Sequence, residues 1–250
     1  MRFSQDVAIV TGGAQGIGAA IARALAAEGA AVAIADIDLA GQETARDIVA
    51  RGGRACFVET DVASEQSAQQ LVASVVAEFG TVHILVNDAA LFRGLVLTAI
   101  EETSAELWDR VMAVNLRGPF LLTKYVLPHM KRQRRGKIVN VSSNTVFSGG
   151  PGMSHYVASK AGIIGFTRCL AREAGESGIC ANVVAPGLTE TEAARHVIPS
   201  KRFDAVTGLR SIARRQTSGD LVGSVLFLCS SDSDFVTGQV LNVDGGQIFC

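Results

Sequence analysis

The chain has 250 residues, and 23 Lys and Arg against 24 Asp and Glu leave a formal net charge of −1. This balance, with an apolar share of 48%, is typical of a compact globular protein and argues against a disordered chain or a protein that coats nucleic acid. The length suits one α/β unit, so we predict a single domain over residues 1–250.

Short apolar runs and longer helical patterns alternate along the chain. Strands are predicted at residues 7–10, 31–36, 55–61, 84–88, 137–143, 180–186 and 240–243, and helices at 17–28, up to 51, at 64–79, at 114–130 and at 156–173. The strand runs are continuously apolar, as expected when helices cover both faces of a sheet. The alternation predicts an α/β fold: a single Rossmann-type, doubly wound parallel sheet of about seven strands.

The first predicted strand ends in the sequence TGGAQGIG, residues 11–18, just before a helix. Glycines at this strand-to-helix turn let the backbone approach a pyrophosphate, whose charge the helix N-terminus stabilises. Gly12, Gly16 and Gly18 therefore predict a dinucleotide site, with a purely structural turn as the alternative.

The second predicted strand ends at Asp36, eighteen residues after Gly18. An acidic side chain at about this interval accepts hydrogen bonds from the adenosine ribose and repels a 2′-phosphate. Neither Gln15 nor Ile37 supplies a cation that would bind such a phosphate. We therefore predict NAD (NAD+/NADH) as the cofactor, preferred over NADP.

A tyrosine and a lysine, Tyr156 and Lys160, stand four residues apart at the start of an apolar helix, so they share one helix face. A nearby ammonium favours the phenolate, and we expect Lys160 to lower the pKa of Tyr156 towards neutrality. Ser143, thirteen residues before Tyr156, ends a strand at the edge where ligands bind such sheets; Ser142 is the less suitable donor. For an isolated tyrosine–lysine pair, simple packing would be the better interpretation.

These features resemble the classical short-chain dehydrogenase/reductase family along the whole chain. The resemblance is carried by TGGAQGIG, the pair Asp61-Val62, NDAA at residues 87–90, Asn115, Ser143, YVASK at 156–160, PGLTET at 186–191 and TGQVLNVDGG at 237–246. One departure is NDAA, where the family usually has NNAG.

The resemblance implies that Asp61 and Val62 bind the adenine edge and that Asn87 lies beside the adenosine ribose. It also implies that Thr189 and Thr191 approach the nicotinamide carboxamide or the phosphates, and that Asn115 holds a water in the proton path. The predicted catalytic residues are Asn115, Ser143, Tyr156 and Lys160. The predicted cofactor contacts are Gly12, Gln15, Gly16, Ile17, Gly18, Asp36, Ile37, Asp61, Val62, Asn87, Tyr156, Lys160, Pro186, Gly187, Thr189 and Thr191.

The expected activity is hydride transfer between NAD(H) and a small secondary alcohol or ketone, cyclic or aromatic, with Tyr156 as general acid/base. The predicted substrate pocket comprises Phe92, Ser143, Asn144, Thr145, Met153 and Leu188, with residues 187–220 as a lid because they lack clear periodicity. Two alternatives stay open: a 3-oxoacyl-carrier-protein reductase-like ketoreductase, and a regulatory module that binds NAD(H) without turnover. Family members are usually tetramers, so the resemblance implies a homotetramer.

Cysteine and histidine patterns indicate neither a disulfide framework nor a metal site. None of the five cysteines forms a C-x-x-C pair, and the four histidines share no metal-ligand spacing. The basic run at residues 131–137 follows a predicted helix, and we interpret it as a solvated helix end. No signal-peptide or membrane-spanning pattern occurs. We therefore expect a cytoplasmic protein without metal, membrane or nucleic-acid partners.

Overall fold

Seven parallel strands form one sheet in the computed structural model, which describes residues 1–249, in the order β3-β2-β1-β4-β5-β6-β7. The strands are β1 (Val7–Thr11), β2 (Ala31–Asp36), β3 (Arg54–Glu59), β4 (Ile84–Asn87), β5 (Gly136–Val141), β6 (Ile179–Pro186) and β7 (Val240–Val243). The helices are α1 (Gly16–Ala27), α2 (Gly41–Ala50), α3 (Glu65–Phe79), α4 (Ala105–Met112), α5 (Gly118–Gln133), α6 (Thr145–Ser148), α7 (Ser154–Ala174), α8 (Glu192–Val197), α9 (Ser200–Thr207) and α10 (Gly219–Cys229). The predicted fold class is confirmed.

Two apolar layers cover the sheet, because its central strands β1, β4, β5 and β6 are buried on both faces. Val7 and Ile9 of β1 pack with α3, α5 and the end of α7, whereas Ala8 and Val10 pack with α1, α2 and α10. Strand side chains alternate between faces with period two, so an uninterrupted apolar run supplies both layers. This packing fixes the sheet that carries the loops of the site.

The strand order reverses at β1, which pairs with β2 on one side and β4 on the other. Loops leaving the carboxyl ends of β1 and β4 turn to opposite faces, which opens a crevice between them. Thr11, Asp36 and Asn87 end their strands at this same edge. The topology therefore brings the glycine turn and the NDAA segment together.

The prediction of one regular helix over residues 114–130 is wrong: the helical segment starts earlier and is interrupted. The helical path begins with α4 at Ala105, passes through a π-helical turn over Ala113–Arg117 and continues as α5 to Gln133. Pro119 at the start of α5 has no N–H to give to the preceding turn, which suits a wider turn just before it. Asn115 lies inside that turn.

The segment at residues 187–220, predicted to be without regular structure, contains α8, α9 and the first turn of α10. The hydroxyl of Thr191 caps α8 by accepting from the Ala194 N–H, and helices of 6 and 8 residues are too short to show periodicity. Buried Arg210 donates from Nη2 to the Leu188 carbonyl oxygen at 2.8 Å. The segment is thus a folded cover, and this hydrogen bond joins its beginning to a residue near its end.

The basic run at residues 131–137 is only partly the solvated helix end that was predicted. Lys131 and Arg132 are exposed, but Lys137 is buried in β5, with Nζ 2.7 Å from a carboxylate oxygen of Asp234. Within residues 1–249, no helix combines the length and apolar character needed to cross a membrane.

Candidate active site

A cavity of about 750 Å³ opens at the carboxyl edge of the sheet, beside the point where the strand order reverses. Of the residues predicted for the site, all line this cavity except Gly18, Asn87 and Asn115. The glycine turn and Asp36 lie at one end, and Ser143, Tyr156 and the cover helix α8 lie at the other. Such a shape suits an extended ligand whose two ends meet different chemistry.

The glycine turn leaves room and donors for an anion. Gly12 has φ +67°, and a Cβ on it would lie 2.9 Å from the Ala89 nitrogen, so a side chain there would be strained and crowded. Helix α1 begins at Gly16, with no side-chain cap and no acidic residue in its first turn. Its first N–H groups and its dipole therefore fit a pyrophosphate.

Thr11 ties the glycine turn to the segment after β4, a role that the sequence analysis did not assign. Its hydroxyl oxygen accepts from the N–H groups of Asp88 and Ala89, each at 3.1 Å, and its hydroxyl faces the Val86 carbonyl oxygen at 3.4 Å. The sequence signal for this role is a threonine that ends a buried strand next to a glycine turn. These two hydrogen bonds hold the start of the glycine turn close to the segment after β4.

The carboxylate of Asp36 is held rigidly at the adenosine end of the cavity. One oxygen accepts from the Ala14 N–H in the glycine turn, and the other accepts from the Asp38 N–H, both at 3.0 Å. Ile37 follows it, with 67% of its surface exposed, and brings no cation to the rim. A fixed anion without a neighbouring cation favours a ribose with a free 2′-hydroxyl over a 2′-phosphate.

Tyr156, Ser143 and Lys160 meet at the opposite end of the cavity. Ser143 hydrogen-bonds Tyr156, and its Oγ accepts from the Thr145 hydroxyl at 2.9 Å. Lys160 donates from Nζ to the Val141 carbonyl oxygen at 2.8 Å, and that Nζ lies 5.8 Å from the centre of the Tyr156 ring. Phe92 packs edge-on against the same ring, with centroids 5.3 Å apart. The phenol is therefore clamped between apolar packing and two polar groups.

The expectation that Lys160 lowers the pKa of Tyr156 is wrong for the protein alone. Burial, the largest cause, raises the pKa of Tyr156 to about 12, while the Ser143 hydrogen bond lowers it and the charge of Asp88 raises it. Burial also lowers the pKa of the Lys160 ammonium to about 8. Removal from water disfavours the charged forms of both groups.

Asn87 and Asn115 lie behind the cavity wall rather than on it. Asn87 donates across the sheet from Nδ2 to Asn140 Oδ1 at 2.8 Å, and it does not line the cavity. Asn115 accepts from the Leu91 N–H at 2.7 Å and donates to Ser159 Oγ at 3.2 Å. Asn115 therefore joins the segment after β4 to the helix that carries Tyr156, and both ends of its amide are engaged.

Two neighbours of the catalytic residues also have structural tasks. Ser142 donates its hydroxyl to the Lys160 carbonyl oxygen at 2.8 Å and so holds α7 against β5. His155 is fully buried, and its Nδ1 accepts from the Tyr156 N–H at 2.7 Å. The first turn of α7 is thus fixed at the residue that bears the phenol.

Comparisons with known proteins agree with this geometry. A sequence model described as enoyl-(acyl carrier protein) reductase matches residues 12–247. The 3-oxoacyl-acyl-carrier-protein reductase of Thermotoga maritima is 36% identical over 249 residues, covering 99% of this chain and 100% of that protein. The chain belongs to the short-chain dehydrogenase/reductase family.

Other short-chain dehydrogenases/reductases resemble the chain over nearly its full length. The galactitol 2-dehydrogenase of Agrobacterium fabrum is 38% identical over 258 residues, covering 99% of each protein. The crystal structure of levodione reductase superimposes with a TM-score of 0.93 at 31% identity, covering 98% of each chain. The protein is therefore an oxidoreductase that uses a nicotinamide cofactor, and the names of its relatives span more than one kind of substrate.

Several cavity-lining residues of this family member escaped the sequence analysis. They include Thr60, Asp88, Leu91, Leu97, Ile198 and Arg202. Leu97 and Ile198 come from loops that fold over the cavity, and no local pattern marks such residues. Asp88 did carry a signal, because it departs from the motif, but its surroundings could not be read from the sequence.

Proposed function

We propose that this protein transfers a hydride between NAD(H) and a small secondary alcohol or ketone. The observation that carries the proposal is the meeting of Ser143, Tyr156 and Lys160 in the same cavity as the glycine turn and Asp36. An acid/base tyrosine with a polar partner, placed beside a nicotinamide site, is what carbinol oxidation needs.

The proposed cofactor contacts follow the length of the cavity. Asp36 would accept from the adenosine ribose, Asp61 and Val62 would border the adenine, and the start of α1 would face the pyrophosphate. Thr189 and Thr191 would hold the nicotinamide end from the cover segment. When bound, NAD+ supplies a hydride acceptor and a positive ring that favours the phenolate of Tyr156.

The catalytic roles divide among three side chains. Tyr156 Oη would take the alcohol proton, and Ser143 Oγ would donate to the substrate oxygen while charge develops on it. Lys160 Nζ would hold the nicotinamide ribose and stabilise the phenolate electrostatically. Asn115 is proposed to act by fixing α7 through Ser159, with its earlier assignment to a water in the proton path as the alternative.

The substrate end of the cavity is mainly apolar. Phe92, Leu97 and Met153 come from one side, and Leu188 and Ile198 of the cover segment come from the other. Ser143 and Tyr156 offer the groups that would bind the reacting oxygen beside this apolar surface. A compact alcohol or ketone with an apolar or ring-bearing body suits such a pocket best.

Alcohol oxidation should accelerate with pH, because it needs the phenolate and the pKa of Tyr156 is raised to about 12. Below that pKa, each pH unit increases the phenolate fraction about tenfold. Ketone reduction uses the neutral phenol, which stays protonated far below a pKa of about 12, so its kcat/KM should be level over the same range. Both profiles can be measured between about pH 6 and about pH 9; an oxidation rate that fell across this range would contradict the assignment.

The test of the proposed function is a panel of small secondary alcohols and the corresponding ketones, assayed with NAD(H) and with NADP(H). We expect NAD-dependent turnover of at least one apolar pair. Turnover of a β-ketoacyl thioester with NADPH alone would favour the ketoreductase alternative, which the Thermotoga maritima relative represents. Tight NADH binding without turnover of either class would favour the regulatory module.

We further propose a homotetramer that uses the outer faces of α4, the π-helical turn, α5 and α7. Phe120 is 47% exposed there and packs edge-on against Phe166, with ring centroids 6.4 Å apart. A carboxylate in the centre of an apolar contact is costly, so Phe120→Glu should lower the assembled mass. Light scattering would measure it, with Val49→Glu on exposed α2 as the control; a wild-type monomer would refute the proposal.

A further inference from the structure

Asp88 lies between the glycine turn and the catalytic lysine. Its N–H donates to Thr11 Oγ1 at 3.1 Å, and the residue lines the cavity. Its Oδ2 is 2.9 Å from the position that a Cβ on Gly18 would take, and the Gly12 carbonyl oxygen crowds the same point. The carboxyl group thus stands beside the first turn of α1, where the proposed function places the pyrophosphate.

The charges around Asp88 come from three different elements. Lys160 on α7 attracts its carboxylate, Asp36 at the end of β2 repels it, and the Gly18 N–H of α1 hydrogen-bonds it. Burial outweighs these effects and raises the pKa of Asp88 to about 7. Asp88 also affects Tyr156, because the charge of Asp88 raises the pKa of the phenol. The pKa of Asp88 therefore lies well above that of an exposed aspartate.

Binding of a dinucleotide would raise the pKa of Asp88 further. Its pyrophosphate brings negative charge to the N-terminus of α1, next to the Asp88 carboxyl, and displaces water from the cavity. Both changes disfavour a second anion at this position. The motif of the family has a neutral asparagine here, and a protonated carboxyl is the form of aspartate that matches it in charge and shape.

We propose that Asp88 takes up a proton when the dinucleotide binds, so that this residue makes cofactor affinity proton-linked. The neutral carboxyl then acts as a positioning residue between the glycine turn and Lys160, and it adds no negative charge near Tyr156. The inference rests on the proposed NAD(H) site.

The sign of the effect follows from linkage. The form that binds best carries a proton on Asp88, so affinity for NADH should fall as pH rises through the titration of this group. Asp88→Asn keeps the shape of the side chain and cannot titrate. Its affinity should therefore match the low-pH affinity of the wild type and stay level.

The experiment is a titration of NADH by its fluorescence, from about pH 5.5 to about pH 7.5, below the titration of Lys160, where the wild-type Kd should rise about fourfold. Over the same range the Kd of Asp88→Asn should change less than about twofold. Asp38→Asn is the matched control, since it removes an exposed carboxylate that does not line the cavity. It should keep the wild-type slope. A slope that persists in Asp88→Asn would assign the proton to another group and overturn the inference.

A second measurement needs no variant. Calorimetry of NADH binding to the wild type near pH 7.5, in two buffers of different ionisation enthalpy, should show uptake of up to about one proton per site. Binding without proton uptake would overturn the inference while leaving the proposed function intact. Failure of the wild type to bind NADH at any pH would overturn both.

Discussion

Replacing Tyr156 by phenylalanine should reduce kcat by about 10²- to 10⁴-fold in both directions, the usual range for losing a general acid/base. The variant keeps the ring that packs against Phe92 and removes only the oxygen that hydrogen-bonds Ser143. Protein stability and NADH affinity should therefore change little. Steady-state kinetics with the substrate identified in the panel, together with an NADH titration, would measure both.

The chain offers a matched control for this substitution. Tyr125 is the only other tyrosine, and its hydroxyl donates to Glu65 on the protein surface at 2.9 Å. Tyr125→Phe should retain wild-type turnover. If Tyr156→Phe kept near wild-type kcat, the phenol would not be the acid/base and the assignment would have to pass to another group.

Exchange of the anion at the adenosine end for a cation should reverse the cofactor preference. In the double variant Asp36→Ala with Ile37→Arg, NAD loses its ribose acceptor, and a 2′-phosphate loses a repelling charge and gains a guanidinium partner. Hydrogen bonds to charged groups contribute about 1.5 to 3 kcal/mol each, so the ratio of kcat/KM for NAD to that for NADP should fall at least about 100-fold.

Controls for the cofactor exchange lie on the same loop. Asp38→Asn removes an exposed carboxylate two residues away, whose oxygen accepts from the Ala40 N–H, and should leave the cofactor ratio unchanged. Loss of the bond from the Ala14 N–H to Asp36 would cost about 1 kcal/mol in the double variant, and thermal unfolding would register it. A wild-type preference for NADP, or a double variant that still prefers NAD, would contradict the role given to Asp36.

The elements best predicted from the sequence are those whose pattern reflects burial. The bounds of β2 match their prediction because five of its six residues form a buried apolar run; those of β7 also match, although none of its residues is fully buried. Helices α8 and α9 escaped prediction because they are too short to be periodic and depend on the Thr191 cap of α8 and on packing of Ala194, Ile198 and Phe203 beside the cavity. Local patterns therefore specify the sheet but not its cover.

The candidate site divides in the same way. The spacing of Ser143, Tyr156 and Lys160 predicted that they lie close together, because periodicity sets strand ends and helix faces. All three line the cavity. The hydrogen-bonding of Asn87 and Asn115 depends on neighbours distant in the chain, Asn140 and Leu91, and their side chains do not line the cavity. The direction in which the pKa of Tyr156 shifts depends on burial, which only the folded protein reveals.

The most direct test of the central claim is transfer of deuterium to a ketone of the panel from NADH that carries deuterium in both positions of the nicotinamide C4. Mass spectrometry of the product should find the label on the carbinol carbon with the wild type, and almost none with Tyr156→Phe in the same time. Enzyme that binds the labelled cofactor but transfers no deuterium to any ketone, including a β-ketoacyl thioester, would contradict the claim that this protein is an NAD(H)-dependent alcohol dehydrogenase or ketone reductase.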